Sequence, residues 1–259
     1  MATNNGQFCW YDLMTTDMKA AQAFYGAVIG WEAKDSGIAG PPYTLLSAGP
    51  TMVGGLMPIP DELRAKGVPP CWSGYVWVED VDAYAGRVKA AGGTVRQSPA
   101  DIPGIGRYAV VADPGGAVFI LFKNAGGEQP APVAPGTRGH IGWHELHAWD
   151  GAKAWAFYSG LFGWTKAEAV DMGPMGVYQT FATKAGAPAV GGMMTRMPQT
   201  PGTFWLYYFN VESIDAALAR VTERGGKAVM GPQQVPGGQW ILQAQDPQGA
   251  FFAMVAAKR

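Results

Sequence analysis

Between Phe8 and Thr15 apolar and aromatic residues fill a strand-length segment; Asp17 then opens a stretch in which Ala21, Phe24 and Val28 recur at helical spacing until Gly30. An aspartate that accepts backbone N–H groups starts a helix and a glycine ends one, so the pattern predicts a strand followed by a capped helix. Tyr43 to Ser47 and Met52 to Met57 read as short strands, and the doublet Gly54, Gly55 marks a bulge or a close approach of backbones. The pattern then restarts. Trp72 to Glu79 reads as a strand, Asp80 caps a helix carried by Val81, Tyr84 and Val88, and Gly92, Gly93 end it; two further strands flank the turn Asp113, Pro114, Gly115, Gly116. The unit is strand, helix, three strands, performed twice.

The whole arrangement returns later in the chain. Trp10, Leu13, Asp17, Phe24, Tyr25 and Trp31 recur as Trp143, Leu146, Asp150, Phe157, Tyr158 and Trp164, every pair separated by the same constant offset. That offset also relates Arg87, Asp113, Pro114, Gly116 and Phe119 to Arg220, Asp246, Pro247, Gly249 and Phe252. Solenoid and propeller repeats are far shorter, so this is a duplicated domain. We expect domains at residues 7–123 and 140–257, joined by the Pro/Gly-rich linker 124–139.

A chain of 259 residues that is 48% hydrophobic can bury two cores of ordinary size. The net charge of -1 and the lack of basic runs argue against nucleic acid as a partner, and no apolar stretch reaches the length of a membrane span. The polar start, Met1 to Gln7, has no signal-peptide character, and the expected location is cytoplasmic. Cys9 and Cys71 stand in no metal-binding spacing and read as reduced, packed thiols.

The first-strand Trp seven residues before a capping Asp, the Ala-Phe-Tyr helix followed by Gly-Trp, and the Asp-Pro-x-Gly turn, all present twice, resemble the vicinal oxygen chelate superfamily. That superfamily includes glyoxalase I, the bleomycin resistance proteins and the extradiol dioxygenases, and the chain is similar to its two-domain glyoxalase-like bacterial members. The resemblance implies an α+β fold of two tandem domains, each of two βαβββ modules forming cup-shaped mixed sheets. It also implies that a first module can pair with a second module of another copy, and we expect cups built across the two repeats. In metal-dependent members three ligand positions would fall on Trp10, Ser73 and Ile120 in the first repeat and on Trp143, Leu206 and Ala253 in the second. Five of these six side chains carry no oxygen, nitrogen or sulfur donor suited to a divalent metal, and Ser73 alone is a poor ligand. No family metal and no other cofactor is expected.

Alternation along strands indicates what lines the sheet face away from the helices. If Trp10 points there, so do Asp12 and Met14; in the second repeat the set is Trp143, Glu145 and His147. The same phase places Ser73, Tyr75 and Trp77, and Leu206, Tyr208 and Asn210, on this face. It turns Val76, Val78, Phe209, Val211 and His144 toward the helices. Trp10, Met14, Tyr75, Trp77, Trp143, Tyr208 and Asn210 are the expected ligand-binding residues, since small-molecule pockets combine aromatic walls with a few polar groups.

Asp12 and Glu145 occupy equivalent positions where an acid is rarely buried without a reason. His147, two residues beyond Glu145, would stand roughly 6 to 7 Å from it along the strand. Two functions follow. One is a metal-independent protein that binds a small, flat or aromatic molecule, as a monomer or homodimer. The other is an enzyme of lyase, isomerase or dioxygenase type, with Asp12, Glu145 and His147 as catalytic acid and base groups or with a relocated metal site on Glu145 and His147. A structural role for both acids, paired with backbone, Arg107, Arg196 or a tyrosine, carries equal weight. Asp17, Asp80, Asp113, Asp150 and Asp246 are explained as caps and turn formers, and Arg107 as the partner of a carbonyl or carboxylate.

Overall fold

Asp17 Oδ1 accepts from Ala20 N at 2.9 Å and opens α1 (Met18–Val28), which follows β1 (Phe8–Thr15); this is the computed structural model's first instance of a pattern used again at Asp80 and Asp150. The structure describes residues 5–38, 40–126 and 133–259, so residues 127–132 of the expected linker lie outside it. The first repeat continues through β2 (Glu32–Asp35), β3 (Thr44–Ala48), β4 (Thr51–Pro58), a short α2 (Asp61–Ala65), β5 (Cys71–Trp77), α3 (Val81–Ala90), β6 (Thr94–Ile102), β7 (Gly106–Ala112) and β8 (Val118–Asn124). The second comprises β9 (Ile141–Ala148), α4 (Gly151–Phe162), β10 (Thr165–Asp171), β11 (Val177–Ala182), β12 (Gly191–Thr195), β13 (Phe204–Asn210), α5 (Ile214–Glu223), β14 (Lys227–Gln234), β15 (Trp240–Gln245) and β16 (Phe251–Ala256).

Two eight-stranded mixed sheets result, ordered β2-β3-β4-β1-β5-β8-β7-β6 and β10-β11-β12-β9-β13-β16-β15-β14. The fold is α+β, with parallel pairs β1–β4, β5–β8, β9–β12 and β13–β16 and antiparallel pairing toward the edges. β1 stands beside β5 and β9 beside β13, so each sheet is made from the two modules of one repeat. This corrects the expectation of sheets built across the copies. The edge strands β2, β6, β10 and β14 carry mostly exposed residues. With little to bury they need no apolar alternation, which is why the hydrophobic pattern does not mark them.

The packed cores divide the chain differently. One unit comprises Met1–Trp10, Gly74–Ala131 and His144–Trp205; the other comprises Tyr11–Ser73, Pro132–Trp143 and Leu206–Arg259. Each unit thus joins most of a first module from one repeat to most of a second module from the other. Crossing between copies is real on the helix side and absent from the sheets.

The cores of the two units repeat one device. In the first unit Trp205 Nε1 donates to the Tyr158 hydroxyl at 3.0 Å, and that hydroxyl donates to Asp113 Oδ2 at 3.1 Å. In the second, Trp72 Nε1 donates to Tyr25 at 2.9 Å and Tyr25 donates to Asp246 Oδ2 at 3.1 Å. The other carboxylate oxygens do the turn work read from the sequence: Asp113 Oδ1 accepts from Ala117 N, and Asp246 Oδ1 from Gln248 N and Ala250 N. Burial raises both carboxyl pKa values and pushes the Tyr25 hydroxyl well above its usual value. Arginines finish the helices. Arg87 donates to Gly160 O and Leu161 O at the end of α4, and Arg220 to Val28 O at the end of α1, where a cation complements the helix dipole.

Replacing Tyr158 by Phe removes a group that is donor and acceptor at once, leaving a buried carboxylate and a buried indole short of a partner. We expect Tyr158→Phe to lower unfolding free energy in urea by about 1 to 3 kcal/mol. A loss below about 0.5 kcal/mol, the range of ordinary surface changes, would show that the relay does not matter.

Candidate functional site

The site grows from two strand positions and two glycines. In the first unit Glu145 on β9 lies opposite Gly192 on β12 in parallel register, and in the second Asp12 on β1 lies opposite Gly55 on β4. A Cβ on Gly192 would come within 2.2 Å of the Tyr178 ring, and one on Gly55 within 2.1 Å of the Tyr43 hydroxyl. Each glycine is therefore the floor on which a tyrosine lies. From there the Tyr178 hydroxyl donates to Glu145 Oε2 at 3.1 Å and the Tyr43 hydroxyl to Asp12 Oδ1 at 2.6 Å. The preceding glycines serve a different purpose: a Cβ on Gly54 would meet Tyr11 O at 2.4 Å and one on Gly191 would meet His144 O at 2.3 Å. That is the close backbone approach the doublets predict.

Glu145 reaches His147 as well. Its Oε1 lies 2.9 Å from His147 Nε2, and the two side chains keep only 11% and 14% of their exposure. Nε2 nevertheless makes no aligned hydrogen bond among the described residues, so the contact is a close approach that falls short of hydrogen-bond geometry. The imidazole stacks on Phe204 with centroids 4.8 Å apart and planes 18° apart. Side chains that strand alternation alone would hold well apart converge because both lean over the same face.

The remaining predicted residues are placed as follows. Asp12 is 4% exposed and belongs to the second unit, whereas Glu145 and His147 belong to the first. Met14 pairs in register with Met57 on β4. Tyr208 is buried and accepts from Gln243 Nε2 at 2.7 Å, while Asn210 Nδ2 donates to His140 O at 3.1 Å. Trp77 Nε1 donates to Asn124 Oδ1 at 3.1 Å, and Tyr75 meets Phe122 edge-on. Trp10 and Trp143 are half-buried. Two surface depressions, one of about 40 Å³ beside Trp149 and Lys153 and one of about 260 Å³ beside Gly30 and Arg138, are lined by none of these residues.

Several non-functional readings have direct structural counterparts. Arg107 holds Asp82 through Nε and Nη2 and Asp101 through Nη1. Arg196 donates to Thr200 O rather than to either acid. His144 stacks on Phe8 at 4.1 Å and its Nδ1 donates to Val190 O at 2.7 Å, an ordered core histidine. Tyr43, Tyr178 and Phe204 are functional candidates absent from the sequence reading. At the constant offset of the repeat Tyr43 falls on Gly176 rather than on Tyr178, because the loops before the two tyrosines differ in length, so a fixed-offset comparison passes over the pair.

At the family's metal positions Leu206 is 2% exposed and Ala253 0%, both apolar, and Trp143 completes the second repeat's set. Such a donor set does not fit a divalent metal. Among the described residues no three His, Cys, Asp or Glu side chains gather as a metal site would require, the Glu145–His147 pair included.

A family model for the Glyoxalase/Bleomycin resistance protein/Dioxygenase superfamily matches residues 7–121 and 139–254. The chain belongs to this superfamily. Among superfamily relatives, CFP32 of Mycobacterium tuberculosis (strain CDC 1551 / Oshkosh), whose name provisionally calls it a glyoxylase, is 33% identical over 250 residues, covering 95% of this chain and 93% of its own. The anthracycline biosynthesis protein DnrV of Streptomyces peucetius is 31% identical over 263 residues, covering 96% of this chain and 93% of its own. Two solved structures share the superfamily fold at a TM-score of 0.67. The Mn(II)-bound glyoxalase from Novosphingobium aromaticivorans is 17% identical and aligns over 98% of this chain and 83% of its own. The 2,2',3-trihydroxybiphenyl 1,2-dioxygenase from Sphingomonas wittichii strain RW1 is 15% identical, over 97% and 90%. No described helix is long and apolar enough to cross a membrane.

Burial lowers the His144 pKa to about 4, so the folded state favours the neutral ring. A lowered histidine pKa adds stability above the unfolded value near 6.5 and loses it as pH falls from there to about 4. We expect an acid destabilisation of about 3 kcal/mol across that window, absent from His144→Phe, read from unfolding midpoints at each pH. Parallel curves for the two proteins would contradict it. Gly192→Ala must displace the Tyr178 ring and so release Glu145; its crystal structure should show the Tyr178–Glu145 hydrogen bond broken, and an unmoved ring would refute the role given to this glycine.

Proposed function

We propose that this superfamily member binds a small, flat or aromatic organic molecule and that it does so without a metal at the family's ligand positions. One observation carries the reading. Glu145 is held on one oxygen by Tyr178 and meets His147 with the other, beside the aromatic ring of Phe204. Polar groups fixed in advance next to an aromatic surface lose little entropy when they engage a ligand. The apolar residues at the metal positions support the metal-free part, and the near-full-length relatives named for anthracycline biosynthesis support a flat fused-ring ligand. The Glu145–His147 contact also favours a second reading, an isomerase or lyase in which this pair moves a proton.

Titration of the purified protein with an anthracycline, followed by ligand fluorescence with and without a chelator, tests the proposal. The expected result is saturable binding indifferent to chelation, weakened by about 1 to 3 kcal/mol in Glu145→Ala, His147→Ala or Asp12→Ala, as when a buried partner is removed. Elemental analysis should find less than one transition metal per chain. A tightly held stoichiometric metal whose removal abolishes binding would overturn the metal-free reading. If all three variants bind normally while melting earlier, the three side chains are structural.

A further inference from the structure

The acid, tyrosine and glycine are built alike in the two repeats, but what stands beside them is not. Where the second repeat has His147 and Phe204, the corresponding positions of the first hold Met14 and Cys71. Burial pushes the Cys71 thiol up to about 11, so it remains a protonated, weakly polar group. Met14 offers no proton and accepts hydrogen bonds poorly. Only the second repeat therefore sets a basic nitrogen beside its carboxylate.

The two nitrogens of His147 are also unlike. Nε2 is buried against Glu145 Oε1 at 2.9 Å. Nδ1 is not among the buried polar atoms lacking a partner and takes part in no hydrogen bond among the described residues, which leaves it the ring's polar atom open to a ligand. For Nδ1 to accept from a ligand the ring must carry its hydrogen on Nε2, and Glu145 Oε1 is the acceptor atom standing beside that nitrogen. Tyr178 holds the other oxygen of that carboxylate, and Phe204 stacks on the ring and fixes its plane relative to the sheet.

Resting on the binding reading above, we propose that the ligand taken by the second repeat carries an acidic hydroxyl, a phenol or an enol, whose O–H donates to Nδ1 of His147, and that the first repeat recognises no such group. The proton moves from the ligand oxygen toward Nδ1; the oxygen keeps the bonding electron pair, and Glu145 balances the imidazolium. Glu145 is then a positioning residue and His147 the group that touches the ligand.

The full chain titrated with 4-nitrophenol and with 4-nitroanisole, which differ only in capping of the hydroxyl, tests this. The expected result is one equivalent of nitrophenol bound about tenfold more tightly than nitroanisole, the worth of one good hydrogen bond, with absorbance shifted toward nitrophenolate. His147→Met, which copies the first repeat, should erase both the preference, read as the ratio of the two probes' affinities, and the shift; His147→Asn serves the same purpose should the Met variant fold poorly. Glu145→Gln should reduce the shift of bound nitrophenol at saturation, an effect that packing alone would not produce. Equal affinity for the two probes, two shifted equivalents per chain, or a preference that survives in both His147 variants overturns the inference and leaves the binding proposal standing. Failure of both probes to bind overturns the two together.

Discussion

A tyrosine hydroxyl that accepts from one side chain and donates to another is the joint on which each half of this molecule turns. Tyr158 takes a proton donor from Trp205 and gives its own to Asp113; Tyr25 does the same between Trp72 and Asp246. No other residue type of this shape can do both, because phenylalanine has no hydroxyl and tryptophan only donates. The carboxylate at the end of the relay is expensive to bury, yet it is 4% exposed in each case and its other oxygen fixes the turn into the last strand. Satisfied on both oxygens, it ties a helix from one repeat to a turn from the other, so neither module can close its own core without its counterpart.

Alternation along β9 sets the chemistry of its two faces. Leu146 and His144 are buried on β9, His144 stacked on Phe8 and bonded to Val190 O. Strand alternation then leaves Glu145 and His147 no choice but the opposite face. His144 and His147, near neighbours on one strand, acquire opposite characters: one a neutral core ring on a carbonyl, the other lying against a carboxylate.

How much of this was legible in the sequence follows from the kind of interaction concerned. The aspartate caps at Asp17, Asp80 and Asp150 are local, a side chain reaching its own backbone within one helical turn, and they were readable; Ser213 caps α5 in the same geometry although it is not an aspartate. The repeat was readable because most of the duplicated core kept its register. The partners of the acids were not, since Tyr43 and Tyr178 lie beyond loops of unequal length and find Asp12 and Glu145 only through the sheet. Nor was the second duty of Asp113 and Asp246, correctly read as turn formers, because the tyrosines they accept from belong to the other repeat. The expectation of sheets built across the copies failed for a related reason: module exchange leaves its trace in which helix packs on which turn, and a hydrophobic pattern reports that a face is buried, not against what.

Duplication has left the two repeats with one scaffold and different side chains beside the acid. The glycine floor, the tyrosine and the acid are retained in both, which is the part whose loss would leave a buried carboxylate without its partner and so be felt as instability. The neighbours that differ, Met14 for His147 and Cys71 for Phe204, carry no such penalty, since a thioether or a thiol fills space without demanding a hydrogen bond. Constraint and freedom are thus separated residue by residue along the same strands. A fold whose stability rests on the relay and on the acid–tyrosine pairs can change the group beside the acid without disturbing either, and this is the physical basis on which one architecture comes to host unrelated ligands and reactions.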